Sequence, residues 1–129
     1  MKWIRLPDAE LEVMKAVWSL EPPAATTEVK TVLERQRPWN ASALLTLLNR
    51  LIARGFLRSE KQGKNRYYEP LVSEADYLAF ENRSFLQKLN RSSVTRMVAS
   101  LYDSHSITEA DLEELAAFIQ EKTGGKEDA

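Results

Sequence analysis

The chain has 129 residues, 43% hydrophobic and 29% charged, which suits one folded domain, or one small domain plus an appendage, and argues against disorder. It has no cysteine and no apolar run near the ~20 residues that span a bilayer, so disulfides, thiolate metal sites and membrane insertion are excluded. Its net charge of −1 hides a segregation: residues 30–66 carry nine Lys or Arg against two acids, a net of +7, while residues 67–129 carry a net of −6. A basic middle beside an acidic tail is expected if one face meets a polyanion. Residues 1–10 lack the apolar segment of a signal peptide, so a cytoplasmic location is expected.

In chain order, Asp8 is placed to cap a first helix whose stripe is Leu11, Met14, Val17 and Trp18, stopped by Glu21-Pro22-Pro23. A second, shorter helix starts at Thr26 or Thr27 and buries Val29, Val32 and Leu33. Asn40 caps a third, from about Ala41 to Arg54, with Leu44, Leu47, Leu48, Leu51 and Ile52 inward and Gly55 as the left-handed residue after it. The period then changes. Residues 56–61 and 66–70 read as strands joined by the turn Gln62-Gly63-Lys64-Asn65. Three short helices followed by a basic hairpin describe a winged helix-turn-helix.

Ser73-Glu74-Ala75-Asp76 opens a fourth helix containing Tyr77, Phe80, Phe85 and Leu89, and a break is expected over residues 90–93. A fifth helix carries Val94, Met97, Val98, Leu101 and Tyr102. After a loop over residues 103–106, Thr108 with Asp111 caps a sixth bearing Leu112, Leu115, Ala116, Phe118 and Ile119. The expected fold is mostly α with a small β-hairpin wing: a winged-helix DNA-binding domain over residues 1–72, a helical dimerisation domain over 73–122, and a flexible tail over 123–129.

On the third helix, Ser42, Thr46, Asn49 and Arg50 fall near one line facing away from the apolar side, with Arg54 following. In a major groove, Arg can bond bidentately to guanine and Asn to adenine, and Thr can meet a phosphate, a base edge or a thymine methyl. Lys61, Lys64 and Arg66 surround the hairpin turn with Arg58, a set of cations suited to neutralising phosphates. Double-stranded operator DNA is therefore the expected partner. The apolar surface of Val94, Met97, Val98, Leu101, Tyr102, Leu112, Leu115, Phe118 and Ile119 is expected to be buried in a symmetric homodimer, matching palindromic half-sites. His105 is the only histidine and lies in a loop, so no catalytic set, metal site or cofactor is expected.

The residues 6–14 (Leu-Pro-Asp-Ala-Glu-Leu-Glu-Val-Met), Val17-Trp18, Trp39, the run Thr46-x-Leu48-x-Arg50-Leu51-x-x-Arg54-Gly55 and the wing Arg66-Tyr67-Tyr68-Glu69-Pro70 resemble the penicillinase-repressor family, of BlaI/MecI type. The resemblance covers about residues 5–122. It implies a dimeric repressor with a winged-helix domain and a helical dimerisation domain, binding a pseudo-palindromic operator of resistance or stress genes through Thr46 and Arg50. It also implies release through a sensor-protease, by cleavage that would here fall at Ser100-Leu101, where the best-known members have Asn-Phe. Where many relatives have Lys-Thr early in the recognition helix, this chain has Ser42-Ala43. That departure motivates the alternative of a winged-helix protein-interaction module without sequence-specific DNA binding.

Overall fold

The computed structural model describes residues 3–89 and 93–127. Its first helix, α1 (Asp8–Trp18), follows Pro7, whose carbonyl accepts from Leu11 N at 2.9 Å. Pro7 is the capping position and no side chain bonds the free amides there. Asp8 is therefore the first helical residue and not the cap expected of it. It still places negative charge at the positive end of the helix.

A two-residue strand, β1 (Ala24–Ala25), leads into α2 (Thr26–Leu33), where Glu28 Oε1 accepts from Ala25 N at 2.8 Å. The third helix, α3 (Ala41–Ala53), begins and ends on local chemistry. Asn40 Oδ1 accepts from the amides of Ser42 and Ala43 at 2.8 and 3.2 Å. Gly55 takes φ 83, and the bonds from Gly55 N to Ile52 O and from Phe56 N to Leu51 O close the helix. The hairpin of β2 (Leu57–Gln62) and β3 (Asn65–Pro70) turns at Gly63, φ 64. β1 pairs with the other edge of β3, giving an antiparallel sheet of order β1-β3-β2. This is a winged helix-turn-helix.

One core holds these elements. Leu44, Leu48 and Leu51 of α3, Val13, Met14 and Val17 of α1, and Val29, Phe56, Leu57 and Tyr68 are all essentially without exposed surface. The fourth helix, α4 (Glu74–Lys88), adds Tyr77 to it. The Leu6 amide donates to Tyr77 Oη at 2.7 Å, and the ring lies against Phe56, Trp18, Trp3 and Phe80. Trp18 Nε1 donates to Val72 O at 2.9 Å. These contacts carry the first compact unit to Ser84, past the limit at residue 72 expected from the sequence.

The second unit, residues 85–129, holds the end of α4, then α5 (Val94–Asp103) and α6 (Glu109–Glu127). The break expected over residues 90–93 lies outside the described residues except for Ser93, whose Oγ accepts from Arg96 N. α5 closes with Ser106 N on Leu101 O and His105 N on Tyr102 O, leaving His105 at φ 61 in the left-handed position usually given to glycine. Thr108 and Asp111 cap α6 reciprocally, Asp111 Oδ2 accepting from Thr108 N and Thr108 Oγ1 from Asp111 N. The helix continues through residues 123–127, where a flexible tail was expected. Extending a formed helix adds a hydrogen bond per residue, and a glycine there costs only about 1 kcal/mol.

Burial, helped by the Glu81 carboxylate, pushes the Tyr77 phenol up to about 12. Free tyrosine ionises near 10, so the native state holds this proton more tightly than the unfolded chain. The associated stability is complete below pH ~10 and is lost as pH rises toward 12. Tyr77→Phe, which strands the buried Leu6 amide, should cost about 1–3 kcal/mol at pH 7 in urea unfolding. It should also flatten the alkaline loss of stability. Equal alkaline slopes in the two proteins would contradict this burial of the phenol.

Candidate nucleic-acid interface

With its leucines turned inward, α3 presents Ser42, Leu45, Thr46, Asn49 and Arg50 outward, all exposed. Thr46 Oγ1 donates to Ser42 O at 3.0 Å, so its hydroxyl proton is spent within the helix while its methyl and lone pairs remain available. Among the described residues, the side chains of Asn49 and Arg50 have no intramolecular hydrogen bond or ion pair. A guanidinium and a carboxamide held on a rigid helix with their bonding capacity unused can read base edges.

The segment entering α3 is pinned as firmly as the helix. Trp39 is buried, Glu34 Oε2 accepts from its amide at 3.3 Å, and the Arg37 guanidinium lies 4.3 Å from its ring centroid. Arg37 also meets Glu12 of α1 at 2.8 Å. These contacts fix where the N-terminus of α3 points relative to the core.

Arg54 behaves differently from the other expected DNA-facing cations. It contacts Glu10 through two nitrogens, at 2.5 and 3.2 Å, and Glu10 is only 2% exposed. The bond to Glu10 raises the Arg54 pKa above its ordinary range. Arg54 is thus committed to joining the end of α3 to α1, a correction to its grouping with Ser42, Thr46, Asn49 and Arg50. The sequence could not reveal this, because Glu10 reads there as one more first-turn acid, 44 positions away.

On the wing, Arg58 is likewise neutralised, by Glu69 at 2.6 Å. Arg66 Nη1 donates to Ser59 Oγ at 2.9 Å and keeps its charge. Lys61 and Lys64 are exposed and have no ion-pair partner among the described residues. Lys61 stands directly opposite Arg66 in the sheet register. Like charges so placed repel, and an anion bound between them would relieve the repulsion. Leu45, 44% exposed, is the residue that apolar periodicity missed. It lies about 90° around the helix from the centre of the buried leucines, and no partner covers it.

In the second unit, Val94, Leu101, Tyr102, Phe118 and Ile119 are exposed, and Met97, Val98, Leu112 and Leu115 are half-buried. None of the residues whose burial is described there is buried. Ser100 and Leu101 lie within the last turns of α5, with their carbonyls accepting from Ser104 N and Ser106 N. No described helix is long and apolar enough to cross a membrane.

Comparison with known proteins agrees with this geometry. The family model for the penicillinase repressor matches residues 6–121. The penicillinase repressor of Bacillus licheniformis is 30% identical over 124 residues, 96% of each chain. The methicillin resistance regulatory protein MecI of Mammaliicoccus sciuri is 26% identical over 121 residues, 94% of this chain and 98% of that one. The solution structure of the DNA-binding domain of the repressor BlaI is 40% identical, with a TM-score of 0.51, covering 60% of this chain and 94% of that domain.

Arg50, within α3, and Arg54, at its C-cap, should therefore respond differently to truncation. Arg54→Ala strands the buried Glu10 carboxylate and should lower the urea midpoint clearly. Arg50→Ala, at an exposed and unpaired position, should leave the midpoint within about 0.5 kcal/mol of the parent. Equal stability of the two variants would remove the structural role given to the Glu10–Arg54 pair.

Proposed function

The chain belongs to the penicillinase repressor family, and we propose that it is a transcriptional repressor binding a pseudo-palindromic DNA operator as a homodimer. The observation that carries this reading is the outward face of α3, where Ser42, Thr46, Asn49 and Arg50 sit together with Arg50 and Asn49 unpaired. Lys61, Lys64 and Arg66 on the wing would neutralise phosphates beside it. The role is binding, not catalysis, and its place is the cytoplasm, where the operator is.

Dimerisation through residues 94–119 is supported by what the second unit lacks. Val94, Phe118 and Ile119 are 56, 55 and 50% exposed, and two helices with no buried residue among those whose burial is described lack the packing that supplies most helical stability in water. A second copy related by two-fold symmetry would cover both apolar surfaces and set two recognition helices one helical turn of DNA apart. Release by a sensor-protease at Ser100-Leu101 would cut α5 beside Leu101 and so dismantle that interface. A protease needs extended chain, so the last turns of α5 would first have to unwind.

Selection of the purified protein against random duplex DNA tests the reading directly. The expected product is an inverted repeat with half-site centres about one turn, 10–10.5 bp, apart, bound ~10³-fold or more above random DNA, with affinity falling steeply as salt rises. Arg50→Ala should reduce discrimination by about 1–3 kcal/mol. Absence of any enriched sequence would favour a protein-interaction module, in line with the small residues Ser42-Ala43.

For the dimer, Leu101→Asp or Phe118→Asp should sediment as a monomer and bind the selected duplex more weakly. Dimers that persist in both variants would move these residues out of the interface.

A further inference from the structure

Leu45 is not used by the polar and cationic contacts of α3. It is 44% exposed, whereas Leu44, Leu48 and Leu51 of the same helix are fully buried. At 3.6 residues per turn, the outward arc runs from Leu45 through Asn49, Ser42, Ala53 and Thr46 to Arg50, about 140° in all. Leu45 forms one edge of this arc and Arg50 the other.

The first turn of α3 carries only small outward side chains, Ala41, Ser42 and Ala43, all exposed. With nothing long there, the helix axis can lie close to the floor of a groove. An isobutyl group on the edge of the arc then reaches the depth of the base edges. A lone exposed leucine is ordinary on a protein surface. In an arc that also holds unpaired Asn49 and Arg50, in a segment of net charge +7, it sits where the partner is a polyanion. The major-groove edge of duplex DNA offers an apolar group of matching kind, the C5 methyl of thymine.

We propose that Leu45 packs on the 5-methyl group of one thymine in each half-site and so selects a T·A pair there, while Arg50 reads from the opposite edge of the helix. The inference rests on the operator-binding reading above and adds a specificity-determining residue to it.

The test uses the full-length protein and the duplex recovered by selection. Each thymine is replaced singly by deoxyuridine, which pairs identically but lacks the methyl. Replacement at one thymine per half-site should weaken binding about 4-fold, the loss expected for one buried methyl. Leu45→Ala should bind the thymine and uracil duplexes equally at that position, with an unchanged thermal melt because the side chain is exposed. Indifference of the parent protein to every deoxyuridine would overturn the assignment of Leu45 alone, as would an alanine variant that keeps the parent's sensitivity. A selection that enriches no sequence would overturn the operator reading and this inference with it.

Discussion

Leu44, Leu48 and Leu51, each without exposed surface, set the rotation of α3 about its own axis, and the remainder of the site follows from that rotation. Burying each contributes about 1.5–3 kcal/mol. A turn of the helix by one residue, about 100°, would expose part of this set and carry Ser42 out of the outward arc. The Asn40 cap and the left-handed Gly55 hold the two ends, so the helix can neither slide nor extend. Its outward face is thus the complement of its packing. Residues there can be chosen for a ligand because none of them is needed for the core.

The charged residues divide along the same line. Of the cations between residues 30 and 66, several are spent internally. Lys30 pairs with Glu34, Arg37 with Glu12, Arg54 with Glu10 and Arg58 with Glu69. The surface pairs contribute little stability, but each removes a positive charge from competition for phosphate. Arg50, Lys61, Lys64 and Arg66 keep theirs. Arg35, just beyond α2, is also exposed and without an ion pair among the described residues, so the unpaired positive charge lies mainly on one helix face and one hairpin, with one further cation at the end of α2.

How much of this was legible in the sequence depended on how local the cause was. Asn40, Gly55, Gly63 and the Thr108–Asp111 cap act within a few residues of themselves, and each was readable. β1 was not: two alanines carry no strand signal, and Ala24–Ala25 are extended because the edge of β3 offers Tyr67 and Tyr68 as partners. The role of Arg54 depends on Glu10, and that of Tyr77 on the Leu6 amide, 71 positions away. Leu45 illustrates the converse limit. Apolar periodicity reports which residues could be buried on a helix face, and it is silent about a leucine left uncovered beside that face.

On the proposed reading, the two halves of the chain would also respond oppositely to ionic strength. α6 alone carries six acidic residues against two lysines, so two copies brought together in the proposed dimer repel, and salt screens that repulsion. The proposed contacts of Lys61, Lys64 and Arg66 with phosphate would instead weaken as salt rises. The acidic half is repelled by the DNA backbone as well. An apolar surface such as Phe118 and Ile119, which would otherwise be available for nonspecific adhesion, is therefore biased away from the polyanion and toward a partner that offers apolar surface in return. The segregation of charge along the sequence, with the net of −1 that conceals it, would thus do more than mark the proposed binding face: it would discourage the proposed dimerisation surface and α3 from exchanging roles.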